Sequence, residues 1–244
     1  MSVHWHSYPD ARAAAEASAR HILMLLDDVL SGKERATMAV SGGSTPKLLF
    51  EALVKARYRW DRVHLFWVDE RAVPPTDPES NYKLAHESLI GPAHFPPRNV
   101  HRIEGSIAPE RAAEHYTADI RKFFALEEGD LPHFDIMQQG MGPDAHTASL
   151  FPGEPLIDDR DGIAAAVHAP KPPPWRITLL PGVLLAARHT VFLVSGEDKA
   201  DAVRAVFHDE YDPKRLPAQM VSHHGRSVSW FLDDAASRPL REAK

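Results

Sequence analysis

Cysteine is absent from all 244 residues. That excludes disulfides, thiolate nucleophiles and cysteine-built zinc sites, and it is compatible with a reducing compartment. Long apolar runs are also missing: no stretch approaches the roughly 18 consecutive apolar residues of a membrane helix. The opening residues, MSVHWHSYPDARAAAEASARHILMLL, lack both the basic leader and the continuous apolar core of a signal peptide. A soluble, cytoplasmic protein with no membrane partner is expected. Positive charge is in deficit, with 28 Lys and Arg against 34 Asp and Glu and a net charge of −6. Nucleic-acid binding therefore has no electrostatic support.

Familiar catalytic signatures are absent too. There is no HExxH, no GxSxG nucleophile elbow, no P-loop and no GxGxxG. His223-His224 is too bare to count as a metal site, so no metal is expected.

What is present is an alternation of strand and helix signals. A helix is expected over 10–30, with Asp10 as N-cap and Gly32 just past its end. ATMAV (36–40) reads as a buried strand, followed by a helix over 46–55. VHLFWV (63–68) is a second strand, and a helix is expected over 82–89. Another helix spans 109–126, a strand 134–137, and a stiff proline connector 170–174. TVFLVS (190–195) is a strand, a helix covers 196–207, and 227–232 closes the series as a strand. The alternation predicts a single α/β domain over residues 1–244 with a mostly parallel sheet.

In such sheets ligands bind beyond the carboxyl ends of the strands. Four polar clusters fall there: SGGST, DER, GMGPDAH and SGEDK. In the first, Ser41, Gly42, Gly43, Ser44 and Thr45 precede a helix and offer a phosphate cradle; the alternative is a tight turn capped by Ser44 or Thr45. Lys199, in a first helical turn where the dipole disfavours a cation, is either a phosphate ligand or a solvated surface lysine. Arg71 and Arg176 could grip phosphate oxygens or serve in structural ion pairs. Asp69, counted among the substrate-binding candidates, and Glu70 could do acid–base work or simply pair with Arg71 and cap the loop. The sharpest pair is Asp144 and His146, in a glycine-rich loop after an apolar strand. A histidine there can take a proton from water while a carboxylate orients its ring.

These motifs carry a resemblance. SGGSTP (41–46), VDER (68–71), GMGPDAHTASLFPG (140–153), KPPPWRITL (171–179), AARHTVFLVSGEDKA (186–200) and the tail LPAQMV…WFLDDAA resemble the 6-phosphogluconolactonase family over nearly the whole chain. The resemblance implies a three-layer α/β/α fold with a mainly parallel sheet, shared with sugar-phosphate isomerases and deaminases. It implies hydrolysis of 6-phospho-D-glucono-1,5-lactone, the second step of the oxidative pentose phosphate pathway, by a monomer without a cofactor. Carried over, His146 matches the proposed base and Asp144 its supporting acid. Arg71, Arg176 and Lys199 match positions for the phosphate and polar groups, and 41–45 matches the binding loop.

Glucosamine-6-phosphate deaminases have a similar loop, but with a glutamate where Phe151 stands here. A non-catalytic sugar-phosphate sensor would share the fold but would append a DNA-binding segment, and no basic helix-turn-helix candidate precedes this domain. The lactonase family usually has glycine at the place of Ala145 and asparagine at that of Leu185. Alanine limits positive φ, so the loop at 145 is expected to adopt a conformation that an L-residue tolerates. Leu185 is expected to give up a polar contact.

Overall fold

A computed structural model describes residues 4–242; the outermost ends of the expected 1–244 domain, 1–3 and 243–244, lie outside the described residues. The first half of the chain runs β1 (His4–Tyr8), α1 (Ala11–Gly32), β2 (Ala36–Val40), α2 (Ser44–Lys55), β3 (Val63–Trp67), β4 (Asp69–Arg71), α3 (Asn81–Ala85), β5 (Val100–His101) and α4 (Pro109–Phe124). The second half runs β6 (Ile136–Gln139), β7 (Ala164–His168), β8 (Trp175–Leu179), α5 (Pro181–Ala186), β9 (His189–Val194), α6 (Ala200–His208), α7 (Pro217–His224), β10 (Val228–Asp233) and α8 (Asp234–Glu242).

Seven strands form one sheet in the order β1-β10-β9-β6-β2-β3-β5, and every neighbouring pair is parallel. Helices cover both faces, giving the three-layer α/β/α arrangement expected. Burial on both faces is why these strands read as continuous apolar runs: all five residues of ATMAV are buried. In α1, Asp10 accepts a hydrogen bond from the Ala13 amide at 2.8 Å, as the N-cap reading expects. Ala15, Ala19, Ile22 and Leu26 then repeat at helical spacing and are all buried. Burying Ile22 and Leu26 contributes about 1.5–3 kcal/mol each.

The chain moves from β2 to β3 and β5 on one side, then returns to β6, β9 and β10 on the other. The direction reverses between β2 and β6. A crevice opens at the carboxyl ends of strands at such a reversal.

Several local expectations shift. The helix expected from 46 starts at Ser44, with Gly43 as N-cap and no side-chain cap, so neither Ser44 nor Thr45 caps it. The helix expected over 82–89 is the short α3 followed by a π-helical turn, His86–Ile90. The segment after Gly196 opens with a 3-10 turn, Glu197–Lys199, before α6 begins, so Lys199 precedes the helix instead of lying in it. The largest change concerns DER. It is no loop but the strand β4, paired antiparallel with β8 in a second sheet of order β4-β8-β7. β7 (AAAVH) had escaped notice because alanines carry no strand periodicity. Among the described residues no helix is long and apolar enough to cross a membrane.

Candidate active site

The four strand-end clusters do converge. The loops after β2, β6 and β9, together with β4 and β8, enclose a cleft of about 220 Å³. Ser41, Gly42, Gly43, Ser44, Thr45, Asp69, Arg71, His146, Arg176 and Lys199 all line it. Asp144 does not; it stands behind His146. A larger cleft, about 1110 Å³, lies at the amino ends of the strands. Its Lys33 and Arg188 pair with the buried Asp135, and its Arg62 donates to backbone carbonyls.

The loop after β6 closes on itself: the Gly142 amide donates to the His146 carbonyl at 2.9 Å, and the Ala145 amide to the Gly142 carbonyl at 3.0 Å. This turn brings His146 Nδ1 to 2.5 Å from Asp144 Oδ1. A carboxylate only accepts, so Nδ1 carries the proton and Nε2 is left free to take one. Burial raises the Asp144 carboxyl, but the hydrogen bond and charge of His146 outweigh it and hold the group down at about 2. Phe151 stacks on the imidazole, with ring centroids 4.3 Å apart. The turn needs a glycine at 142, since a Cβ there would lie 2.0 Å from His146 Nδ1. At 145 the expectation fails: Ala145 sits at φ +60, in the left-handed region, fully buried. Its carbonyl accepts from the Ala218 amide at 2.9 Å, which ties the loop to α7. Leu185 lies in α5, packs against the core and does not line the cleft.

Cations gather on the other side. Arg71 is directly opposite Arg176 in the β4–β8 ladder. Like charges in that relation are destabilising. Arg176 is 4% exposed, and burial followed by the Arg71 charge pulls its guanidinium below its ordinary value. The Arg71 Nε is buried without a partner, while its Nη1 donates to the Glu79 carbonyl at 2.7 Å. Lys199 pairs with Asp198 at 2.8 Å. Lys171 also lines the cleft, a residue that sequence reasoning passed over because it lies in the proline connector and at no strand end. The only signal was its presence in KPPPWRITL.

The acidic residues mostly hold the frame. Glu70 is buried and accepts from the amides of Arg71, Asn81 and Tyr82 and from the Ser80 hydroxyl, at 2.7–3.0 Å. Burial raises its carboxyl, and those hydrogen bonds oppose the rise. Of the two readings for Glu70, loop capping is the one realised. Asp69 accepts from Ser149 at 2.6 Å and from Asn81 at 3.2 Å. Asn81 is thereby pressed on the glycine-rich loop, where a Cβ at Gly42 would lie 1.9 Å from its Oδ1. The Ser41 hydroxyl donates to the Gln138 carbonyl at 3.3 Å, and Thr45 bonds Ser195 at 2.8 Å, tying the loop after β2 to β6 and the start of α2 to the loop after β9. Gly43, at φ +114, turns the chain so that the amino end of α2 lines the cleft. Among the described residues no group of three or more His, Asp or Glu could hold a metal ion.

The chemistry is thus a carboxylate-oriented imidazole facing a cluster of cations and a helix amino end. The chain also has known relatives. A sequence model described as glucosamine-6-phosphate isomerases/6-phosphogluconolactonase matches residues 9–230. The chain is 36% identical over 213 residues to 6-phosphogluconolactonase of Synechocystis sp., covering 87% of this chain and 88% of that one. It is 38% identical over 218 residues to 6-phosphogluconolactonase of Homo sapiens, covering 85% and 82%. The solved 6-phosphogluconolactonase from Thermotoga maritima superimposes with a TM-score of 0.82 at 28% identity, covering 95% of this chain and 100% of that one. With its cleft at the sheet reversal and sequence kinship over most of its length, this chain belongs to the glucosamine-6-phosphate isomerase/6-phosphogluconolactonase family.

Proposed function

We propose that this chain hydrolyses 6-phospho-D-glucono-1,5-lactone to 6-phospho-D-gluconate, the second step of the oxidative pentose phosphate pathway, as a single-domain cytoplasmic monomer with no nucleic-acid or membrane partner. The observation that carries the reading is the His146–Asp144 pair at 2.5 Å in a cleft otherwise lined by Arg71, Arg176, Lys171 and Lys199. A phosphorylated lactone needs both halves: cations for its phosphate and a base beside its carbonyl.

In this mechanism the phosphate docks against Arg71, Arg176, Lys199 and the amide groups at the start of α2. His146 Nε2 takes a proton from water as the water oxygen bonds to the lactone carbonyl carbon, and the carbonyl π electrons move to oxygen. Asp144 holds Nδ1–H and stabilises the imidazolium that forms. Collapse re-forms the carbonyl and breaks the bond to the ring oxygen, which takes the proton back from His146. General base catalysis supplies about 10²–10⁴-fold, and positioning adds to it.

Phe151 argues against the deaminase reading. It stands where those enzymes carry a glutamate, and its ring, stacked on His146, offers no second proton-transfer group. The test generates 6-phosphogluconolactone in situ and follows acid release above the spontaneous rate, for the wild type and His146→Ala, with ammonia release from glucosamine 6-phosphate in parallel. Fast hydrolysis that drops 10²-fold or more in the variant, without ammonia, is expected. Sugar-phosphate binding without hydrolysis would make the cleft a sensor's pocket instead.

A further inference from the structure

We propose that Lys171 is the cation that stabilises the oxyanion formed at the lactone carbonyl, working beside the His146–Asp144 pair while the other cations hold the phosphate. It rests on the lactonase reading of the same cleft.

Three observations separate Lys171 from its neighbours. First, the other cations are engaged. Arg71 binds the Glu79 carbonyl and carboxylate, Lys199 pairs with Asp198, and Arg176 donates to the Pro173 carbonyl at 3.3 Å. Lys171, among the described residues, forms no hydrogen bond or ion pair, and its ammonium rests 5.2 Å above the Phe151 ring. Second, that ring is also the one stacked on His146 at 4.3 Å; the Arg176 guanidinium lies 5.8 Å from it as well, but is held by the Pro173 carbonyl. Phe151 is therefore an apolar spacer with the base on one contact and an unpaired ammonium on another. It holds both near one place while donating nothing itself. Third, the Asp144 carboxylate favours the charged form of Lys171, opposing the cations Arg176, Lys199 and Arg71.

The chain prepares this placement. Lys171 lies between Pro170 and the run 172–174, where fixed φ angles restrain the backbone. The connector's base is clamped by the Ala169 amide donating to the Pro174 carbonyl at 2.6 Å. Partial desolvation at the rim, and after it the surrounding cations, lower the Lys171 ammonium from its ordinary value. An anion arriving at the cleft would offset that cost. The charge that develops on the carbonyl oxygen as water adds is such an anion, and it is largest in the tetrahedral intermediate, before collapse re-forms the carbonyl. A cation aimed there stabilises the transition state more than the substrate, which is the condition for raising turnover.

Lys171 is exposed at the cleft's rim, so its substitution leaves the core untouched. The experiment compares wild type, Lys171→Met and Lys171→Arg in the full chain, measuring kcat, KM and competitive inhibition by inorganic phosphate. The expected result for Lys171→Met is a kcat lowered roughly tenfold to a hundredfold, since removing one oxyanion donor costs up to about 10³ in buried sites. KM and phosphate inhibition should stay within about threefold, and Lys171→Arg should recover much of kcat by restoring the charge. An unchanged kcat in Lys171→Met overturns the proposal. So does a retained kcat with weakened phosphate inhibition, which would make Lys171 a phosphate ligand. A wild-type protein without lactonase activity would instead overturn the functional reading itself, and this proposal with it.

Discussion

Arg71 and Arg176 face each other across an antiparallel ladder, two guanidinium groups on one face of a short sheet, one of them almost fully buried. No fold gains stability from that arrangement in isolation; directly opposed like charges cost about 0.2–1 kcal/mol. We propose that the pair grips the substrate's phosphate, a dianion that would offset the repulsion.

Replacing Arg176 with methionine should separate these effects. The aliphatic stem keeps the volume while the repulsion goes. KM for the phosphorylated lactone is expected to rise at least tenfold, with kcat within about threefold and Tm unchanged or a few degrees higher. Steady-state kinetics and thermal melts check it. A fall in kcat at constant KM would place Arg176 at the reacting carbon, contrary to the phosphate assignment.

Gly142→Ala is expected to injure chemistry more than folding. The new Cβ would lie 2.0 Å from His146 Nδ1 and 2.6 Å from Asp144 Oδ1, so the ring must move. Both contacts are side-chain atoms, which can give way without unfolding the loop. The variant should lose roughly tenfold to a hundredfold in kcat while its melting temperature stays within a few degrees. Full activity would mean the 2.5 Å contact between His146 and Asp144 does not matter to turnover.

Ala145→Gly tests why an alanine is tolerated at φ +60. The left-handed conformation costs an L-residue about 1–2 kcal/mol. Glycine would relieve that but add about 0.4–1 kcal/mol of unfolded-chain entropy, and the lost buried methyl costs about 0.8 kcal/mol. These nearly cancel, so Tm should move by less than about 3 °C. A large gain would show that the methyl packs worse than its full burial implies.

Asp144→Asn should reveal the pH signature of the pair. The native carboxyl is held at about 2 against its ordinary 3.8. Its folded value is depressed, so its stabilisation is fully present above about pH 4 and is lost as pH falls through about 2. The side chain is 41% exposed, and solvent screening limits the gain to about 1 kcal/mol or less. Melts of both proteins from pH 2 to 7 should show a wild-type advantage that vanishes at the acidic end. An advantage that is constant across that range would assign the effect to packing. In the same variant kcat is expected to fall about tenfold to a hundredfold, because an amide can leave Nδ1 without a fixed acceptor.

The sequence by itself determined what depends on neighbours in the chain. Alternating apolar runs set the parallel α/β layers, and glycines after β2 and β6 marked the turns. The two-residue spacing in the Asp144-Ala145-His146 turn already contained the hydrogen-bonded carboxylate–imidazole pair, because a tight turn is a local object. Contacts between distant segments were decided only by the tertiary structure. Whether DER ended a strand or began another depended on β8, which supplies the antiparallel partner and sets Arg71 against Arg176. Gly42 is required by Asn81, not by any local φ, and Lys171 and His146 both contact the ring of Phe151, a residue of a different loop from Lys171. Spacing along a chain fixes what a turn or a helix can do, but the register between strands is set by burial and pairing across the whole molecule, and the charged half of this cleft was built there.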